Sequence, residues 1–219
     1  MSVVRLDERL WFPEPAAALS GRTNGLLAWG GDLSVPRLLL AYRSGIFPWT
    51  AHPVTWWSPD PRAILEFDEF HVSRSLARTL RRAPFALTHD RAFREVITAC
   101  ATTREKVNWI APEFIEAYTN LHTAGHAHSV ECWRNHELVG GVYGVAIGGF
   151  FAGESMFHRA DDASKVALHH LVEHLRARGF TLFDVQVLTP TTAALGAREI
   201  AREAYLRRLR EAIARPCRF

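Results

Sequence analysis

The sequence predicts an α+β fold in two parts, and three observations point to it. From Ala63 onward the expected elements run strand, helices, three consecutive strands, helix, strand, helix, a blockwise order that belongs to the α+β class. Glycine stands where apolar helical periodicity stops, at Gly45, Gly125 and Gly179. The first sixty residues differ in kind, with Pro, Gly and Trp concentrated in WFPEP, TNGLLAWGGDLS and GIFPWTAHPVTWWSPDPR. The division expected is a small N-terminal domain over residues 1–62 and a larger domain over residues 63–219.

Each element has its own signal. SVPRLLLAYRSG reads as one short helix, with Ser34 as N-cap, Pro36 in the first turn and Gly45 as the stop. The glycine and proline around it suggest ordered loops about a site. RAILEF alternates as a strand, and SRSLARTLRR is an amphipathic, Arg-rich helix. FALTHD is a short strand, followed by helices near 91–101 and 112–124. HSVECW, ELVGGVYGVAIG and FFAGESMF give three strands in succession. SKVALHHLVEHLRARG is the longest clear helix, TLFDVQV returns as a strand, and AREIAREAYLRRLREAIA closes the chain as a helix. No internal repeat or low-complexity linker interrupts this order.

Composition narrows the class. With 219 residues the chain can bury one good core, or one core plus a small appended domain. Hydrophobic residues make up 48% and charged ones 22%, so disordered and collagen-like classes drop out. No apolar run approaches a membrane span. MSVVRLDERLWFPEP puts acids and proline where a signal peptide needs an apolar stretch, so a cytosolic protein with no membrane contact is expected. Cys100, Cys132 and Cys217 are odd in number and widely spaced, which suits a reducing compartment and reads as two core residues and one surface thiol. The net charge of +3 and a pI near 9.0 permit contact with nucleic acid without demanding it. Nearly all the positive charge is arginine, since lysine occurs only at Lys106 and Lys165.

A few residues carry chemistry. Asp184 and Gln186 lie two apart on an expected strand, hence on one face. A carboxylate and an amide side by side on an apolar strand are costly unless satisfied, which points to a site; the plainer alternative is an aspartate capping the next turn. Glu154 sits among Phe150, Phe151, Met156 and Phe157, so it reads as a carboxylate set in an apolar wall. His122, His126 and His128 form HTAGHAH, a weak zinc pattern broken by Gly125, which keeps a metal-dependent hydrolase as a rival reading. His169, His170 and His174 read as a solvated helix face, as do Arg74, Arg78, Arg81 and Arg82. Trp11, Trp29, Trp56, Trp57 and Trp133 are assigned to packing. A non-catalytic RNA-binding module is the second rival, and it gives no reason for Asp184 and Gln186 to sit together.

The element order after Ala63 resembles the core of GNAT-type acyltransferases, which cradle acyl-CoA on a glycine-rich loop. The corresponding connection here, FHRADDASK, has no glycine, so a different donor is expected. NGLLAWGGDLS, RLLLAYRSGIFPW, WWSPDPRAIL, SRSL, AHSVECW, LVGGVYGVA, FAGESMF, ASKVAL, FDVQVL and ALGAREI run in order from about residue 24 to residue 206. Through these blocks the chain resembles the leucyl/phenylalanyl-tRNA–protein transferases.

The resemblance implies a small N-terminal domain before a GNAT-like domain, and transfer of Leu, Phe and less well Met from aminoacyl-tRNA to proteins beginning with Arg or Lys. It further implies marking for N-end rule degradation, a monomer, and no cofactor or metal. It makes Asp184 and Gln186 catalytic, with Asp184 expected to draw the proton from the amine directly or through Gln186, while Glu154 is expected to hold an ammonium or guanidinium group. Val142, Phe151, Met156 and Leu168 would line the pocket for the donor side chain, and Trp49 and Trp109 would contact the terminal adenosine of the tRNA. An aminoacyl ester is already activated, so the enzyme needs no nucleophile of its own. It must orient the amine, help remove its proton and support the oxyanion. The chain departs from the family at Thr189, Pro190 and Thr191, where an imidazole near position 191 is missing.

Overall fold

The computed structural model describes residues 3–103 and 109–219. The N-terminal part is a sheet where the sequence suggested loops. Its strands are β1 (Val4–Leu6), β2 (Leu26–Gly30), β3 (Phe47–Ala51) and β4 (Val54–Trp57), in the order β1-β2-β4-β3. β1 pairs parallel to β2, and the other two pairings are antiparallel. Strands of three to five residues are too short for alternation to show, and their partners lie far along the chain. Helix α1 (Val35–Arg43) bridges β2 and β3 as expected and stops at Gly45, whose φ of +75° is the left-handed geometry glycine takes without strain.

The larger sheet has the order β11-β5-β10-β9-β8-β7-β6. Its strands are β5 (Arg62–Leu65), β6 (Ala86–His89), β7 (Ala127–Arg134), β8 (Glu137–Ile147), β9 (Phe150–His158), β10 (Leu182–Gln186) and β11 (Arg198–Ile200). Only β9 and β10 run parallel, as a strand reached through a helical crossover must. Helix α5 (Ala163–Ala177) supplies that crossover and covers one face. Helices α3 (Phe93–Thr102) and α4 (Pro112–Thr123) cover the other, so β8 is buried from Leu138 to Ile147. Side-chain alternation along β8 and β9 therefore feeds two cores. Val142 and Phe151 face α5, while Tyr143 and Phe150 join the core shared with α3, α4 and the N-terminal sheet. Helix α2 (Arg74–Arg82) is capped by the Ser73 hydroxyl, which accepts from the Leu76 N–H at 3.2 Å. A short α6 (Pro190–Ala194) and a long α7 (Arg202–Ile213) complete the chain.

Three expectations are corrected. Arg198–Ile200 are not helical but add β11 to the open side of β5, because ladder hydrogen bonds outweigh a helical preference there. His170 and His174 are not a solvated face, since His170 stacks on His89 at 4.9 Å and His174 lies tilted against it at 4.4 Å where α5 overlies β6. Trp29 is not core packing; it is 37% exposed, with Arg5 lying over its ring at 5.2 Å. No helix among the described residues is long and apolar enough to cross a membrane.

Candidate active site

Asp184 lies at the centre of the larger sheet, between Ala152 on β9 and Ile64 on β5. Regular pairing breaks after it, and Gln186 takes φ +65°. The two residues therefore meet at a bulge through the Gln186 backbone N–H, and the Gln186 side chain does not share a face with Asp184 as simple alternation would have it but turns to Glu154. Asp184 is fully buried, and Arg62 from β5 donates to both of its oxygens, Nε to Oδ1 at 2.9 Å and Nη2 to Oδ2 at 2.6 Å. Oδ1 also accepts from the Gln186 backbone N–H at 2.8 Å, and Oδ2 from the Tyr205 hydroxyl at 2.8 Å. Four donors on a carboxylate with about four acceptor positions leave none facing outward. Direct proton abstraction by Asp184 does not fit this arrangement, and neither does the modest role of a turn cap. Burial works against the Arg62 charge, but the Asp184 charge outweighs it and raises the guanidinium pKa above its usual value. Arg62 is also sandwiched between the rings of Phe47 and Tyr205, at 4.7 and 4.6 Å, and donates to the Gly45 carbonyl at 3.1 Å.

Glu154 sits on a second bulge. The register jumps from Tyr143 opposite Ser155 to Gly144 opposite Gly153, and Glu154 is left unopposed and turned toward β10. Its carboxylate accepts from Gln186 Nε2 at 2.7 Å, from the Tyr42 hydroxyl at 2.8 Å and from the Tyr118 hydroxyl at 3.2 Å. The two tyrosine hydroxyls are themselves 2.5 Å apart. Two phenol protons cannot fill three oxygen–oxygen contacts, whereas a protonated carboxyl supplies the third. Burial pushes the Glu154 pKa up to about 7; the Asp184 charge adds to this, and the tyrosine and Gln186 hydrogen bonds oppose it. Burial, reinforced by the charge of Glu154, holds both phenols well above their ordinary pKa.

The expected pocket residues come together under α5. Val142 and Met156 are cross-strand partners, and Phe151 and Leu168 belong to the same apolar cluster. Phe151 lies over Gly144, where an added Cβ would come within 2.5 Å of its ring. The two tryptophans connect to the polar cluster through different neighbours. Trp49 is 36% exposed on the N-terminal sheet, over Trp57 at 5.1 Å and beside Phe47 at 5.9 Å. Trp109 is half-buried and meets Phe114 edge-on at 5.3 Å, and Phe114 in turn contacts Tyr118.

The remaining candidates have other employment. His122 donates Nδ1 to the Ala127 carbonyl at 2.7 Å and stacks on Phe93, while His128 Nδ1 meets Asp90 at 2.7 Å. Among the described residues no group of three or more His, Cys, Asp or Glu is arranged to hold a metal ion. Arg74, Arg78, Arg81 and Arg82 are exposed along α2. Thr189 caps α6 in a capping box with Thr192, next to the position where an imidazole was expected. Sequence reasoning missed Arg62, Tyr205, Tyr42 and Tyr118. Arg62 had a readable signal, a lone charge opening the apolar run RAIL; the tyrosines had none, because helical tyrosines pass as ordinary core.

Comparison with known proteins places the sequence among its relatives. A family model described as leucyl/phenylalanyl-tRNA protein transferase matches residues 64–210, and the model of its N-terminal domain matches residues 31–60. A leucyl/phenylalanyl-tRNA–protein transferase of Yersinia enterocolitica is 52% identical over 212 residues, covering 95% of this chain and 89% of that protein. One from Chromohalobacter salexigens is 55% identical over 212 residues, covering 95% and 82%. Among solved structures, L-PGS from Bacillus licheniformis has a TM-score of 0.39 at 14% identity, covering 71% of this chain and 54% of that one. A GCN5-related N-acetyltransferase from Kribbella flavida has a TM-score of 0.40 at 12% identity, covering 74% and 60%.

Proposed function

The chain belongs to the leucyl/phenylalanyl-tRNA–protein transferases, and on that premise we propose that Glu154, oriented by Gln186, is the base that accepts the proton of the attacking amine. The enzyme moves an aminoacyl group from tRNA to protein. The amine nitrogen attacks the ester carbonyl, a tetrahedral oxyanion forms, and the ribose oxygen departs as a new amide is made. One proton must leave the nitrogen and one must reach the ribose oxygen. A carboxylate with a pKa of about 7 suits both transfers, being half ionised near neutral pH. That observation carries the reading. Gln186 holds the carboxylate through its amide, and Asp184 fixes Gln186 through its backbone N–H, with Arg62 and Tyr205 anchoring Asp184. Asp184 thus acts as a positioning residue behind the site.

The donor's Leu, Phe or Met side chain enters the cluster of Val142, Phe151, Met156 and Leu168, and the tRNA's terminal adenosine stacks on Trp49 and Trp109. Base stacking of this kind is worth roughly 1–3 kcal/mol per ring. Acceptors begin with Arg or Lys, the enzyme works in the cytosol as a monomer, and its products enter N-end rule degradation. Residues 1–62 and 63–219 act as the two domains of this machine, the first presenting Trp49 and lending Tyr42 and Arg62 to the site, the second carrying Glu154, Asp184 and Gln186. The test is transfer of labelled Leu from Leu-tRNA to an otherwise identical protein beginning with Arg, Lys or Ala, with and without RNase. Label on the Arg and Lys proteins alone, abolished by RNase, is expected; equal labelling of the Ala protein overturns the acceptor reading.

A further inference from the structure

We propose that Phe219 is a specificity-determining residue that sets the depth of the donor side-chain pocket by holding the ring of Phe151; this rests on the pocket reading given above. Phe151 is fully buried and is held on three sides. Gly144 forms its floor, with no side chain to compete for the space. Phe183 meets it edge-on at 5.4 Å and 82°. Phe219 covers the remaining side, nearly parallel at 6.0 Å and 25°. Floor and edge are both set by strands of the larger sheet, Gly144 on β8 and Phe183 on β10. Phe219 is different, because it lies beyond α7 and is kept in place by ring contacts. It stacks on His128 at 4.2 Å and 16°, and touches His174 at 4.7 Å and His89 at 5.7 Å. His128 is fixed in turn by Asp90.

The result is a stack of three rings, His128, Phe219 and Phe151, whose last member faces the donor. A packed aromatic wall is rigid only while every neighbour is present. Shortening the side chain at 219 opens a void beside Phe151, into which that ring can retreat, and the deepened pocket then favours the larger donor. Enlarging it presses Phe151 forward and favours the slimmer donor. One methylene of mismatch in such a pocket changes selectivity about tenfold or more, so the effect is measurable.

The test is the ratio of kcat/KM for Phe-tRNA and Leu-tRNA, with an Arg-starting acceptor, in the wild type and in Phe219→Leu, Phe219→Ala, Phe219→Trp and Phe151→Ala, with thermal unfolding measured alongside. We expect the Phe/Leu ratio to rise about tenfold in Phe219→Ala, less in Phe219→Leu, and to fall in Phe219→Trp. A merely structural role lowers both donors together and leaves the ratio where it was. If Phe151→Ala shifts the ratio and the Phe219 variants do not, the inference fails while the pocket reading stands. If none of them shifts it, both fail. Should Phe219→Ala not fold, the opposite shifts expected of Phe219→Leu and Phe219→Trp decide the matter.

Discussion

Burial, with the Asp184 charge behind it, resists ionisation of Glu154 until about pH 7, while the hydrogen bonds from Tyr42, Tyr118 and Gln186 favour it. If Glu154 is the base, kcat/KM rises with pH through about 7, ahead of a second limb from the acceptor amine, whose ordinary pKa lies at about 7.7–8.0. Glu154→Gln should cut transfer at least about a hundredfold and leave only the amine limb. A profile that keeps both limbs assigns the lower one elsewhere. The same pKa has a stability consequence. Glu154 is raised above its unfolded value of 4.5, so its contribution is fully present below pH 4.5 and is lost as pH rises toward 7. Asp184 and Gln186 should part company on mutation. Asp184→Ala strands Arg62 as an unpaired buried charge and should cost about 3–5 kcal/mol in urea unfolding. A turn cap alone would be worth only about 1 kcal/mol, and nothing in FDVQVL reveals the partner from WWSPDPRAIL that makes the difference. Gln186→Asn keeps a residue that tolerates φ +65° but shortens the amide away from Glu154, so it should lower transfer about a hundredfold with little loss of stability. A fully active Gln186→Asn enzyme removes Gln186 from the mechanism.

The elements near the site owe their use to two irregular strands. β9 and β10 each carry a bulge where a functional side chain leaves the sheet, Glu154 in one and Gln186 in the other. The strands themselves were readable from their apolar runs, but a bulge is set by cross-strand pairing and leaves no local mark in GGFFAGESMF. On β8 the unbulged partner of Met156 is Val142. Val142→Met should fill the pocket and shift competition between Leu-tRNA and Phe-tRNA toward Leu, by on the order of tenfold. An unchanged ratio places Val142 outside the donor's path. The tryptophans belong to less regular elements, Trp49 on β3 and Trp109 just before α4. Trp49→Ala and Trp109→Ala should each weaken binding of an aminoacyl-adenosine fragment by roughly 1–3 kcal/mol in a titration, with no change in its salt dependence. A variant that spares the fragment but alters the salt slope is contacting phosphate instead.

For the molecule as a whole, a net charge of +3 and a scatter of exposed arginines limit how many phosphates can be neutralised at once. The logarithm of aminoacyl-tRNA affinity should fall against the logarithm of salt with a shallow slope, of magnitude no more than about 4, in a filter-binding series. A slope near 10 would mean an extended phosphate track instead. The scale of the whole molecule is also where sequence and tertiary structure divide their labour. Periodicity, caps and glycine stops determined nearly every helix and the strands of the central meander, because those signals act between residues a few positions apart. The ordered blocks determined the family. Neither could show that residues 4–57 fold as a sheet, or that AREI leaves its helix to pair with β5, since short strands are made by partners distant in the chain. The site divides the same way. Asp184, Gln186 and Glu154 stand out in the sequence as polar groups in apolar runs. Their roles were decided only when Arg62, Tyr42, Tyr118 and Tyr205 arrived from separate elements, because a buried charge's proton affinity depends on what the whole fold packs against it.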